Sequence, residues 1–123
     1  MDNDNPVNLF SRKTNVMGNE YDIYIGTSDE YGRLIKSDGY CDYDNKAIYI
    51  ERHMYPDMCE LNISESDFAR QSRHKYVLRH ELVHAFIAEC GLNGSEIDNE
   101  NIVSWIAYKF PQMLDAFRKA DAL

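Results

Sequence analysis

The stretch His80-Glu81-Leu82-Val83-His84 constrains this chain more than any other, because it lies inside its most strongly helical segment. Val77, Leu78, Leu82, Ala85 and Phe86 recur there at helical spacing. Histidines four residues apart on a helix stack on one face, so both imidazoles can reach a single metal ion. Glu81 lies roughly 100° around the axis from His80, placed to act on a water beside such an ion and not to ligate it. Apolar neighbours on most sides of the segment predict a buried helix. Two histidines and a glutamate buried without partners would be costly, which favours a bound metal over a metal-free helix surface.

Around that helix the chain reads as a single α+β domain over residues 20–123. Residues 1–19 are polar and aperiodic, an irregular lead-in with Val7, Leu9 and Phe10 as candidate anchors. Strands are expected at Tyr21–Gly26, Arg33–Lys36, Tyr40–Tyr43 and Lys46–Glu51, joined by short turns into a small, mostly antiparallel sheet. The motif helix is expected to run from a cap at Ser64 to Cys90, open to a break near Ser72, with Gly91 ending it. A second helix follows over Glu96–Phe110. Pro111 interrupts it, and Gln112–Ala122 forms a last amphipathic helix.

A formal net charge of −8 argues against nucleic acid as a partner and against an anionic membrane surface. Cys41, Cys59 and Cys90 form no C-x-x-C pair, so neither a cysteine zinc site nor a disulfide framework is indicated. Reduced thiols, no apolar leader and no stretch of membrane-spanning length imply a cytoplasmic protein. Oligomeric state is not constrained.

A catalytic metal takes three protein ligands and keeps one position open, and His80 and His84 supply two. No histidine follows His84. His74 falls on the wrong side of the same helix, and His53 sits in a turn with nothing to position it. The third donor is therefore expected to be a carboxylate. Glu89 is on the motif helix and cannot reach round. Glu100 fits best, because Val103, Ile106 and Ala107 would hold its face against the motif helix; Glu96 and Asp98 read as first-turn acids and stand as alternatives. Zinc suits this donor set best. It would lower the pKa of its water and polarise a peptide carbonyl, with Glu81 taking the proton and passing it to the leaving amine. None of Tyr76, Tyr108, His74 and Arg79 is singled out to steady the oxyanion.

Arg79-His80-Glu81-Leu82-Val83-His84-Ala85-Phe86, then Glu89-Cys90-Gly91-Leu92 and Glu100-Asn101-Ile102-Val103-Ser104-Trp105-Ile106-Ala107, resemble small gluzincin-type metallopeptidase domains. These are the minigluzincins and the ImmA/IrrE-type proteins, often encoded by phages and mobile elements. Gly39-Tyr40-Cys41-Asp42 and Lys46-Ala47-Ile48-Tyr49-Ile50 are similar to the family's turn and substrate-flanking strand, so the likeness covers roughly residues 21–110. It implies a zincin-like fold, His80, His84 and Glu100 as zinc ligands, and Glu81 as catalytic base. It also implies that Ala47–Glu51 is a sheet edge to which an extended peptide or protein substrate adds as another strand. Ser104 stands where the family pattern has an aspartate supporting a ligand histidine. The alternative to a zinc peptidase is a non-catalytic zinc-binding module with a regulatory or interaction role.

Overall fold

A computed structural model of the chain describes residues 12–52 and 65–123. The expectations for Val7, Leu9, Phe10, His53, Cys59 and the Ser64 cap lie outside these residues. Among the described residues four strands precede two helices: β1 (Arg12–Val16), β2 (Asn19–Gly26), β3 (Gly39–Asp42), β4 (Ala47–Glu51), α1 (Glu65–Glu89) and α2 (Glu100–Lys119). The α+β order is as expected, but the sheet is mixed, with strand order β1-β2-β4-β3. β1–β2 and β3–β4 are antiparallel, whereas β2 and β4 run parallel at its centre.

That order corrects the placement of Ala47–Glu51. β4 is hydrogen-bonded on both sides and is not an edge; beside it, β3 is the outermost strand among the described residues. The sheet also begins earlier than the aperiodic lead-in suggests. Met17 and Gly18, with φ of 54° and 87°, make a two-residue hairpin turn of the kind that needs positive φ at both positions. β1 escapes a hydrophobic pattern because only Val16 of its five residues is buried. Arg33–Lys36 is not a strand. Gly32–Ile35 forms a short 3-10 helix that buries Leu34 and leaves Ile35 exposed, a split between neighbours that a strand would also make but without a pairing partner here.

One face of the sheet carries Tyr21, Ile23, Ile25, Ile48 and Ile50 into the core beneath α1, where Val77 and Ala85 meet them. The opposite face is closed by tyrosine. Tyr24, Tyr49 and Tyr40 stand in cross-strand register. Their rings stack at centroid distances of 5.3 and 4.6 Å, and Tyr31 leans on Tyr49 at 4.6 Å.

α1 is unbroken at Ser72, which is exposed and costs a helix little. His74, Val77, Glu81 and Ala85 form its buried sheet-facing stripe. At its far end Glu89 accepts bonds from Asn19 Nδ2, Tyr21 Oη and Lys46 Nζ, tying α1 to the β1–β2 hairpin and the start of β4. α2 begins at Glu100, later than expected, and runs through Pro111 as one helix, so no separate C-terminal helix exists. The proline's missing N–H would orphan the carbonyl of Ala107 four residues back. That carbonyl instead accepts a 2.6 Å bond from Arg79 Nε on α1. No helix among the described residues is long and apolar enough to cross a membrane.

Gly39 sets how closely β3 approaches α1. A Cβ there would lie 2.8 Å from Val77 Cγ1 and 3.0 Å from the Tyr49 carbonyl oxygen. Gly39→Ala is expected to lower stability by about 1–3 kcal/mol. Urea denaturation checks this, and an unchanged midpoint would show that β3 yields without cost.

Candidate metal centre

The site is assembled by a helix, its stop and the next helix's start. α1 ends in a Schellman turn: Gly91 takes φ of 74°, its N–H bonds the Ala88 carbonyl, and the Leu92 N–H bonds the Ile87 carbonyl. The chain then reverses through Gly94, whose N–H bonds Asp98 Oδ2 at 2.7 Å. Asn99 caps α2, its Oδ1 accepting from the N–H groups of Asn101 and Ile102. Glu100 is therefore the first helical residue, directly opposite the two histidines, and not a turn inside the helix. Glu96 and Asp98 precede α2 and are not its first-turn acids.

His80 Nε2 lies 2.9 Å from Glu100 Oε1, and His84 Nε2 lies 2.9 Å from Glu100 Oε2. One ligand atom from each of these three residues falls within 4.8 Å of the others. Both Nδ1 atoms turn the other way. Ser104 Oγ is 3.5 Å from Nδ1 of His80, and Asp98 Oδ1 is 3.6 Å from Nδ1 of His84. Without an ion, each Nε2–H donates to the Glu100 carboxylate; a metal would replace that proton, and Ser104 and Asp98 stand close enough to Nδ1 to receive the ring proton after a small adjustment. Tetrahedral zinc with bonds of about 2.0–2.1 Å needs donors roughly 3.3 Å apart, a spacing that small side-chain adjustments reach from here. The residues fit a zinc ion.

The cluster opens into a cleft of about 440 Å³. Ser37, Gly39, Tyr40, Cys41 and Tyr43 form one wall, and the motif residues with Asn93, Asp98 and Glu100 form the other. Glu81 turns from the histidines toward the sheet and is only 7% exposed. Burial, and next the Glu100 charge, push its carboxyl up to about 7. Burial lowers the pKa of His80, keeping it neutral as a ligand must be. Burial likewise pushes the Cys41 thiol on the cleft wall up to about 12.

The structure brings together His80, His84 and Glu100, with Glu81 beside them. Glu96 is exposed in the loop, and His74 is buried on the sheet-facing stripe. Tyr76 lies near His80, at a ring-centroid distance of 6.0 Å, while Tyr108 packs on the far side of Tyr76. Sequence reasoning missed Asp98 as the partner of His84. The signal was Asn99, a preferred cap residue, which moves the helix start past Asp98. No family model, curated protein or solved structure matches this chain.

Chelator-competition titration with Zn2+ tests the donor set. Glu100→Gln should weaken binding by more than the roughly 100-fold that bounds changes in supporting residues, and Asp98→Asn by about tenfold. Glu96→Gln should change nothing; a loss there equal to that of Glu100→Gln would reassign the third ligand. In metal-free protein, Glu81 carries more protons folded than unfolded between pH 4.5 and about 7, so its cost to the fold appears as pH rises through that window. Glu81→Gln should match wild type at pH 4 and exceed it in stability by roughly 3 kcal/mol at pH 8.

Proposed function

We propose that the protein is a zinc-dependent peptidase that hydrolyses an extended polypeptide. The observation that carries this reading is the placement of both Nε2 atoms 2.9 Å from the two oxygens of Glu100 on the floor of an open cleft, with a buried glutamate alongside. His80, His84 and Glu100 would hold the ion, with Ser104 and Asp98 fixing the two imidazoles. Zinc supplies a water of lowered pKa and polarises the carbonyl. Glu81, on the next position of the same helix, would receive the proton and return it to the departing amine. This donor order, with the glutamate ligand on the helix after the motif, resembles a gluzincin arrangement.

The substrate would run along β3, not β4. Gly39–Cys41 lines the cleft wall opposite the histidines, and β3 has no strand beyond it among the described residues. The Gly39 N–H and C=O already bond Ser37 Oγ, so a polypeptide would pair with the outward backbone groups around Cys41, or displace Ser37 to extend the pairing to Gly39. The net charge of −8 favours neutral or basic segments.

Zinc-loaded wild type and Glu81→Gln, compared on a degenerate peptide library by mass spectrometry, test the reading. Loss of the base should lower cleavage by about 10²–10⁴-fold while zinc remains bound. Equal cleavage by both proteins would remove Glu81 from the chemistry. Tight zinc binding with no cleavage by either would instead favour a non-catalytic zinc module.

A further inference from the structure

Helix α2 presents Glu100, Ser104 and Ala107 to α1 on one stripe, since residues four and then three apart share a helix face. Each meets α1 through a polar contact. Glu100 faces both imidazoles, Ser104 faces Nδ1 of His80, and the Ala107 carbonyl accepts from Arg79 Nε. The third contact is of a different kind. A carbonyl inside a helix is normally taken by the N–H four residues on, and here that residue is Pro111, which has none. Arg79 immediately precedes His80, so a charge-assisted bond anchors α1 next to the first histidine at one end of the stripe whose other end carries Glu100. Burial draws the Arg79 pKa below its ordinary value, as expected for a guanidinium held between two helices.

We propose that Arg79 and Pro111 work as one positioning device. The proline frees a carbonyl on α2, Arg79 occupies it from α1, and the bond fixes the slide of α2 that sets Glu100 between His80 and His84. Arg79 touches no reacting atom; it acts through the placement of Glu100. The consequence for zinc rests on the metal-site reading, whereas the helix lock does not.

A double-mutant cycle tests both parts, using wild type, Arg79→Ala, Pro111→Ala and the double variant, with Arg79→Lys as the conservative replacement. In metal-free protein, Arg79→Ala should lower the urea midpoint clearly when residue 111 is proline. It should do so much less beside Pro111→Ala, where the new N–H satisfies Ala107. Zinc affinity should behave differently: Kd rises about tenfold in Arg79→Ala and stays raised in the double variant, while Arg79→Lys recovers most of it. Equal midpoint losses in both backgrounds would overturn the device. So would a zinc Kd unchanged by Arg79→Ala, or one restored together with stability in the double variant, because Arg79 would then serve only to satisfy a carbonyl. Wild type without zinc affinity would sink the metal-site reading, and the metal-free cycle would still decide the helix lock.

Discussion

Helix α1 is packed on two sides at once, and the rest of the structure depends on how it divides its surface. One stripe, including Val77 and Ala85, closes the sheet's core. The histidines turn toward α2 and the cleft. Glu81 lies on the boundary, on the core stripe in sequence and at the cleft floor in space. Because the side chain at each position is committed by the helical repeat, rotating α1 to improve the core would withdraw the histidines from Glu100. The Glu89 cluster resists that rotation at the C-terminal end of the helix, and the tight approach of Gly39 to Val77 resists it at the middle.

The charges gathered here favour a cation. Glu81, Asp98 and Glu100 line a single cleft in a chain already at −8, and the Glu100 charge is among the causes that raise the Glu81 carboxyl. A divalent ion among them would offset repulsion that the fold otherwise bears. The surrounding oxygen partners are unequal. Ser104 can serve His80 only as a neutral hydroxyl, whereas Asp98 brings a full charge to His84. The two imidazoles would therefore differ in basicity as ligands.

The motif helix was legible because its apolar residues keep a 3.6-residue period, and Glu100 because a short turn after Gly91 can only bring the next helix back alongside. Features that depend on partners were not. β1 has one buried residue, so its strand character comes from pairing with β2 and leaves no apolar alternation to read. The interior position of β4 is a matter of strand order, which Ala47–Glu51 carries no local mark of. Pro111 reads as a break by every local rule, and is overruled by a guanidinium 32 positions earlier in the chain, at Arg79. The role of Asp98 was hidden by placing the helix start at Glu96 instead of after Asn99.

All three candidate ligands lie between His80 and Glu100, two on α1 and the third the first residue of α2. The 20 positions from His80 to Glu100 are close to the 25 that separate Asp22 from its partner Ala47 across β2 and β4, so the helical hairpin and the parallel sheet centre close loops of similar length. An ion bound by the three residues would hold that hairpin closed, and the stability of the folded chain would then rise with the free concentration of the ion.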